Sequence, residues 1–368
     1  MRIDCIEMHH LVLPYVSPFE TSFGRETKRE FIVLSITSDG GTGWGECVAG
    51  SGPWYSYETV GTAWNVLEKH LIPSVLFEKI DKVEDIVKRF DRVRGHPMAR
   101  ACVENALWDL FGRSKGLSLA EMLSAKRDSV SVGVSVGIEK NIGLLLAKIE
   151  QHIDEGYGRV KLKIKPGWDV DVVKAVREKW PDLALQVDAN SAYSLADTNI
   201  FLDLDQFDLL LIEQPLHHDD IVNHAELQKQ LITPVCLDES IHSVEHARWA
   251  LGINACRIIN IKVGRVGGIT AASQIHDLCA ERGIPVWCGG MLESNIGRAV
   301  NVALAALPNF KLPGDISASD RYYHQDIALP NFVLNSDSTL DVPNDIGMGV
   351  VVDQERLAHA RISSKLFS

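Results

Sequence analysis

Five charged residues recur along the chain at almost equal spacing, and this spacing constrains the fold more than any other feature. The gaps are 25, 25, 25 and 24 residues, and each residue closes a short apolar run. A step of about 25 residues accommodates one strand, one loop and one helix of a parallel α/β array. The five residues, here called the charge ladder, are Lys163, Asp188, Glu213, Asp238 and Lys262. We therefore expect them at the same ends of successive parallel strands.

The alternation of strand and helix patterns extends beyond the charge ladder on both sides. The strand candidate SVSVGVS precedes the ladder, and IPVWCG and FKLPGD follow it, which brings the count to about eight. Repeated βα units of this number favour a (β/α)8-type barrel over a doubly wound sheet.

The N-terminal third of the chain has a different pattern. The strand-like segments RIDCIEMHHLVL, REFIVLSITSDG and GTGWGECVA come first, with a hairpin turn at DGG, and two helical patterns follow. Strands followed by helices are typical of an α+β domain. We therefore predict an α+β capping domain over 1–125, a barrel over 126–320 and a C-terminal segment, 321–368, that returns to the cap.

Composition and charge exclude several classes of protein. The net charge of the 368-residue chain is −12 and no block is rich in lysine or arginine, which argues against nucleic acid or an anionic membrane surface as partner. The seven cysteines form no CxxC pair, so buried thiols are expected rather than disulfides or a zinc site. The absence of a signal-peptide pattern or a long apolar run predicts a cytoplasmic protein that acts on a small molecule.

The three carboxylates of the charge ladder indicate a metal site. In a barrel of parallel strands the C-terminal strand ends carry the active site, so Asp188, Glu213 and Asp238 would converge there. Converging carboxylates repel one another unless a cation lies between them, and an all-oxygen set favours Mg²⁺ or Mn²⁺ over zinc. The alternative is that each carboxylate merely caps the helix that follows its strand.

The lysines of the ladder flank these carboxylates. Lys161 and Lys163 lie two residues apart and so share one face of their strand, while Lys262 ends a strand on the other side of the barrel mouth. We expect mutual repulsion and the metal to depress the pKa of Lys163 and Lys262, so that either lysine can act as a base. The set predicts a site that removes a proton α to a carboxylate and stabilises the enediolate.

Several motifs around these residues carry a family resemblance. KLKIKPGWD, VDANSAY, LIEQP, LDESI and NIKVGRVGG strongly resemble the enolase superfamily, in particular its muconate-lactonizing-enzyme-like subgroup, over essentially the whole chain. The resemblance implies a modified (β/α)7β TIM-type barrel with an N-terminal α+β capping domain, a class of fold that often forms homo-oligomers. It also implies Mg²⁺ on the three ladder carboxylates, Lys163 and Lys262 as acid/base residues, and Lys161 against the substrate carboxylate.

A narrower resemblance comes from the segments PFETSFG, SGPWY, SVGVS, CGGMLESNIGRA and LPGDISASDRY, which are similar to the o-succinylbenzoate synthase / N-succinylamino acid racemase family. The resemblance implies that Phe19 and the loop through Tyr55 close over the substrate. It further implies a pocket lined by Ser135, Asn190, Gly290, Met291, Leu292, Asp315 and Ile316. The GDIS segment differs from the Asp-x-Asp pair of dipeptide epimerases. Glu239 adjoins Asp238, and we expect it to point away and to act through a neighbouring residue.

The two activities of this family place different demands on the lysines. Dehydration to o-succinylbenzoate, a step of menaquinone biosynthesis, needs one lysine as base and acid, whereas racemisation needs a lysine on each face of the α-carbon. Arg265, three residues beyond Lys262, would make Lys262 a better base and so favours racemase activity, unless it caps a helix or pairs at the surface. A muconate-type cycloisomerase, a dipeptide epimerase, a Schiff-base aldolase and a non-catalytic binding barrel remain as alternatives.

Overall fold

The structure of the protein is a computed structural model that describes residues 1–368. Its strands are β1 Ile3–Thr21, β2 Gly24–Ser38, β3 Gly41–Cys47, β4 Ser129–Ser131, β5 Val134–Val136, β6 Arg159–Lys163, β7 Ala184–Asp188, β8 Ile212–Glu213, β9 Val235–Leu237, β10 Ile258–Ile261, β11 Val286–Cys288, β12 Ala328–Leu329, β13 Thr339–Asp341, β14 Val351–Val352 and β15 Arg361–Phe367. Its α-helices are α1 Val60–Val66, α2 Glu84–Phe90, α3 Pro97–Lys115, α4 Leu119–Met122, α5 Ile142–Asp154, α6 Val170–Lys179, α7 Thr198–Leu204, α8 Ile221–Gln228, α9 Val244–Gly252, α10 Val263–Val266, α11 Ile269–Glu281, α12 Asn295–Ala305 and α13 Gln354–Ala360.

The cap consists of a four-stranded antiparallel sheet, in the order β15-β1-β2-β3, with α3 packed on it. Two glycines of β3 make this packing possible. A Cβ at Gly43 or Gly45 would lie 2.2 Å from the Ala106 carbonyl oxygen or 2.1 Å from that of Cys102, so only glycine fits beneath α3. The last strand, β15, pairs with β1, which brings the end of the chain into the sheet formed by its beginning.

The barrel contains seven parallel strands in the order β11-β10-β9-β8-β7-β6-β5, which confirms the predicted parallel array with one strand fewer than the eight counted from the sequence. Register pairs Lys163 with Asp188 and Asp188 with Glu213, so the first three members of the charge ladder lie side by side at the C-terminal strand ends. Strand side chains alternate between the two sides of the sheet, and the ladder residues end on the barrel interior.

Two strand predictions need correction. The segment SVSVGVS is divided between β4, which pairs with β13 outside the barrel sheet, and β5, which begins the barrel. The segment FKLPGD is not a strand. Pro313 has no backbone N–H to donate and interrupts the pairing, so the segment closes the barrel only through single bridges from Phe310 to Val286 and from Gly314 to Val132.

The core extends through both domains, and all seven cysteines are free, six of them buried and Cys5 partly exposed. This agrees with the expectation of buried thiols. None of the helices combines the length and the apolar character needed to cross a membrane.

A buried carboxylate joins the cap to the barrel. Glu46, in β3, accepts hydrogen bonds from the backbone N–H of Ser294 at 3.1 Å, from the hydroxyl of Ser294 at 2.6 Å and from the N–H of Gly297 at 3.2 Å, at the start of α12. Burial and the neighbouring Glu293 raise the pKa of Glu46 to about 8. The carboxyl group is therefore largely protonated at neutral pH.

This carboxyl group should make the stability of the protein depend on pH. Because its pKa is higher in the folded than in the unfolded chain, its contribution is complete below about pH 4.5 and is lost as the pH rises through about 8. Between about pH 4.5 and 8 the unfolding free energy of the wild type, measured with urea, should decrease more than that of Glu46→Gln. The difference between the two decreases should be on the order of a few kcal/mol. Glu84→Gln, at an exposed position, serves as the control. Equal slopes for Glu46→Gln and the wild type would contradict the prediction.

Candidate active site

A cavity of about 300 Å³ lies between the cap and the C-terminal ends of the barrel strands. Residues of both domains line it, and they include most of those predicted from the sequence. The barrel contributes Ser135, Lys161, Lys163, Asn190, Lys262, Gly290, Met291, Leu292 and Asp315. The cap contributes Phe19, Phe23, Arg25, Arg29, Trp54 and Tyr55, among others. Ile316 does not line the cavity. It is buried in the core, with 2% of its surface exposed, and its place in the pocket stays a prediction.

The three ladder carboxylates are wholly buried and each is paired with a lysine. Asp188 Oδ2 lies 2.6 Å from Lys163 Nζ, Glu213 Oε2 lies 2.9 Å from Lys161 Nζ, and Asp238 Oδ2 lies 2.8 Å from Lys262 Nζ. Burial tends to raise the pKa of Asp188, but Lys163 and Lys161 outweigh it and hold that pKa below its ordinary value. The pairs compensate charges that would otherwise be costly to bury.

The carboxylates form a donor set that suits a hard divalent cation. All their ligand atoms are oxygens, and Oε2 of the adjacent Glu239 is buried without a hydrogen-bond partner. The oxygens of Asp188, Glu213 and Asp238 do not all lie within 4.8 Å of one another, and each carboxylate is paired with a lysine. The chemistry of the set therefore fits the expected ion.

In the protein alone, the pKa of Lys262 is raised rather than depressed. Burial tends to lower the pKa of Lys262, but the charges of Tyr55, Glu213 and Glu239 raise it above its ordinary value. For Lys161 the carboxylates of Asp315 and Glu213 have the same effect. The surrounding carboxylates thus stabilise both ammonium groups in the protein alone, and the depression of the lysine pKa values by a bound metal ion stays a prediction.

Asp315 belongs to an ion-pair network at the irregular eighth position of the barrel. Its carboxylate lies 2.5 Å from Lys161 Nζ, accepts a hydrogen bond of 2.8 Å from Ser135 Oγ, and pairs at 2.8 Å with Arg159. Arg159 in turn donates to the carbonyl oxygens of Pro313 and Gly314. The network fixes Lys161 at the cavity wall and takes up both oxygens of Asp315.

Tyr55 brings the cap loop into contact with the ladder. Its hydroxyl donates to Asp238 Oδ1 at 3.1 Å and accepts from Lys262 Nζ at 3.1 Å and from Arg265 Nη1 at 3.2 Å. Arg265 is 1% exposed, pairs directly with Asp238, and donates to the carbonyl oxygen of Asn260 at 2.6 Å. Arg265 therefore neither caps a helix nor lies at the surface, and it reaches Lys262 only through shared partners.

Glu239 also turns toward the site, contrary to the expected outward direction. Strand β9 ends at Leu237, so the alternation of side chains no longer applies at residue 239. Glu239 accepts a hydrogen bond of 2.9 Å from Asn190, whose side-chain oxygen accepts one of 2.7 Å from Lys163. Burial and the charge of Asp188 raise the pKa of Glu239 to about 7.

Two cavity residues adopt a left-handed backbone conformation, which is unusual without glycine. The φ angle is 43° at Asn190 and 56° at Leu292. Neighbouring groups hold the second loop in place, because the hydroxyl of Tyr323 donates to the Leu292 carbonyl oxygen and Glu293 accepts from the N–H of Met291. Strained backbone of this kind concentrates at functional sites.

The sequence analysis missed several residues of the site. Asn260 donates to Glu213 Oε1 at 2.7 Å, and its position two residues before Lys262 places it on the same face of the strand, a signal that periodicity could have supplied. No sequence pattern indicates that Arg25 and Arg29 of the cap line the cavity, because their position there depends on how the cap docks on the barrel.

Comparison with known proteins agrees with this architecture. Residues 145–356 match the family described as enolase C-terminal domain-like, and residues 6–124 match the mandelate racemase / muconate lactonizing enzyme N-terminal domain. An o-succinylbenzoate synthase from Geobacillus stearothermophilus is 48% identical over 100% of this chain and 98% of its own length. An N-succinylamino acid racemase from Amycolatopsis is 49% identical over 97% of each chain. The chain belongs to the o-succinylbenzoate synthase / N-succinylamino acid racemase family of the enolase superfamily.

A solved structure and a more distant relative place the chain within this superfamily. A member of the enolase superfamily from Listeria innocua superimposes with a TM-score of 0.96 at 43% identity, covering 100% of this chain and 99% of the other. A chloromuconate cycloisomerase from Cupriavidus pinatubonensis is only 26% identical over 99% of this chain and 100% of its own length. In sequence, this chain is therefore much more similar to the synthase and the racemase than to the cycloisomerase.

Proposed function

We propose that the protein abstracts the proton α to a substrate carboxylate and thereby both forms o-succinylbenzoate and racemises N-succinylamino acids. One observation carries the proposal: Lys163 and Lys262 both line one small cavity, and each is paired with a different carboxylate of a wholly buried set. The full-length similarity to proteins named for each of the two activities supports it.

Each charged residue then has a defined task. Asp188, Glu213 and Asp238 would hold Mg²⁺ or Mn²⁺, which supplies positive charge against the substrate carboxylate and so acidifies its α-proton. Lys163 removes this proton from one face, and in racemisation Lys262 returns a proton to the other. In dehydration Lys163 also protonates the leaving hydroxyl group, while Lys262 remains an ammonium ion beside the enediolate.

The cap wall of the cavity supports a substrate with a second carboxylate. Arg25 is exposed at the cavity, and Arg29 lies deeper, where its Nη2 donates to the Val48 carbonyl oxygen at 2.6 Å. A succinyl group carries a carboxylate remote from the reacting carbon, and guanidinium groups are well suited to bind it. Dipeptide epimerisation is less well supported, since the only carboxylate of the GDIS segment, Asp315, is already paired with Arg159 and Lys161.

Arg265→Met tests whether the protein is a racemase as well as a synthase. Loss of the guanidinium removes one partner of Tyr55 and of Asp238, and so disturbs the position of Lys262. Racemisation of N-succinylphenylalanine needs Lys262 to exchange a proton and should fall by about 10²-fold, whereas dehydration should fall less. Measurement of kcat/KM for both reactions checks this.

Arg265→Lys is the matched variant, because it retains a positive charge near Asp238, and thermal unfolding shows whether either variant remains folded. Equal losses in the two reactions would refute the special role of Arg265 in racemisation. Absence of both activities in the wild type, with intact Mg²⁺ binding, would refute the proposed function itself.

A further inference from the structure

Arg159 is a buried arginine of β6, two residues before Lys161, and it does not line the active-site cavity. Alternation places both side chains on the same side of the strand, inside the barrel. The side chain of Arg159 is 1% exposed, and a buried guanidinium needs several acceptors because an unpaired charge is costly to bury. The proposed reaction gives this charge no task of its own.

The acceptors of Arg159 lie on both sides of the gap that the missing eighth strand leaves in the barrel. Its Nη1 donates to the carbonyl oxygen of Val134 in β5 at 3.3 Å, and its Nη2 donates to those of Pro313 and Gly314 at 3.1 and 2.7 Å. Backbone pairing between these two segments is limited to a single bridge, from Val132 to Gly314. The guanidinium therefore takes the place of part of the missing strand pairing.

Neighbouring residues confine the guanidinium to this gap. A Cβ at position 133 would lie 2.3 Å from Arg159 Nε and 2.5 Å from its Cζ, so the absence of a side chain at Gly133 leaves the space that the guanidinium occupies. The indole of the buried Trp287 faces two cations, with its ring centre 5.7 Å from Arg159 Cζ and 5.0 Å from Lys161 Nζ. An aromatic face attracts cations, so the same ring helps to hold both side chains.

Asp315 connects the guanidinium to Lys161. Its Oδ1 pairs with Arg159 Nη1 at 2.8 Å, and its Oδ2 pairs with Lys161 Nζ at 2.5 Å. Lys161 also lies 2.9 Å from Glu213 and 3.1 Å from Asp188, but both of these carboxylates belong to the proposed metal-binding set. Asp315 is therefore the one carboxylate partner of Lys161 outside that set, and its own position depends on Arg159.

We propose that Arg159 is a positioning residue, which through Asp315 holds Lys161 where its ammonium group receives the substrate carboxylate. The inference rests on the proposed function. Lys161 lines the cavity and so can contact a substrate directly, whereas Arg159 acts only through it. An arginine suits this position because its planar fork donates to a carboxylate and to several carbonyl oxygens at once, which the compact ammonium group of a lysine does not match.

The binding of two matched ligands tests the proposal. These are racemic N-succinylphenylalanine, which racemisation leaves unchanged overall, and its racemic α-carboxamide, each measured by calorimetry with saturating Mg²⁺. The wild type should bind the carboxylate more tightly than the amide. Arg159→Met should reduce this preference by about tenfold, because a displaced Lys161 loses a charge-assisted hydrogen bond to the carboxylate and little to the amide.

Three further variants separate position from charge and from stability. Arg159→Lys retains the charge without the fork and should restore part of the preference. Gly133→Ala retains every charge but displaces the guanidinium, and should reduce the preference in the same direction. Arg177→Met is the matched control and should keep the wild-type preference. The guanidinium of Arg177 also donates to backbone carbonyl oxygens, among them those of Phe207 and Leu183, but it lies on α6, away from the cavity.

Equal weakening of both ligands in Arg159→Met would indicate a purely structural role and would overturn the inference. If thermal unfolding shows that this variant does not fold, the same result in Gly133→Ala would overturn it. So would a loss of preference in Arg177→Met as large as that in Arg159→Met. A wild type that binds neither ligand would refute the proposed function, and the inference with it, whereas an unchanged preference in the folded variants would refute the inference alone.

Discussion

Lys163→Ala should reduce kcat by about 10²–10⁴-fold in both dehydration and racemisation, because the variant lacks the lysine that removes the α-proton. Lys262→Ala should have a different effect, because the two lysines act on opposite faces of the α-carbon. It should abolish racemisation, yet one enantiomer of N-succinylphenylalanine should still exchange its α-proton in D₂O through Lys163. NMR detection of exchange for each enantiomer separately checks this.

Lys165→Ala is the matched control for these variants. Lys165 follows the same strand, but its side chain is 41% exposed and lies 3.9 Å from Glu20, away from the buried carboxylates. Its removal should leave both activities nearly unchanged. Exchange of both enantiomers in Lys262→Ala, or of neither in the wild type, would contradict the assignment of one lysine to each face.

Removal of divalent cations should abolish both activities, and added Mg²⁺ should restore them. Binding should also be visible without catalysis, because an ion that binds only the folded protein raises the unfolding free energy by about 2.7 kcal/mol at a hundredfold excess over its Kd. Asp238→Asn should weaken this stabilisation, since it removes one charge from a carboxylate that is wholly buried. Thermal unfolding at increasing Mg²⁺ concentration measures the effect.

The exposed carboxylate of Glu226 offers the comparison for Asp238. Its side chain is 52% exposed and pairs only with Lys229 on the surface of α8, so Glu226→Gln should retain the Mg²⁺-dependent stabilisation. Full activity after exhaustive chelation would exclude the metal-dependent mechanism and return the Schiff-base aldolase to consideration.

Periodicity was sufficient to predict the barrel and its charged strand ends. Equal spacing requires that each repeat contributes one strand, and parallel register then brings Lys163, Asp188 and Glu213 side by side. The same argument would have identified Asn260. It failed at FKLPGD and at Glu239, because alternation holds only while the backbone stays extended.

Contacts between the domains could not be predicted in this way. The position of Tyr55 against Asp238 joins residues 183 apart in sequence, and that of Arg29 at the cavity depends on the docking of β2 against the barrel. Such contacts depend on how two surfaces fit, and local sequence carries no signal for them. The resemblance supplied Tyr55 and Phe19, but neither it nor the spacing supplied Arg25 and Arg29.

The pairing of β15 with β1 has a consequence for the order in which the protein matures on the ribosome. One edge of β1 lies against β2 from early in synthesis, but its other edge has no partner until residues 361–367 leave the exit tunnel. The seven parallel strands are complete in sequence by Cys288, well before that point. The barrel strands, and the segment through Gly314 that closes them, are therefore synthesised before the cap sheet, which covers Lys163 and Lys262, gains its fourth strand.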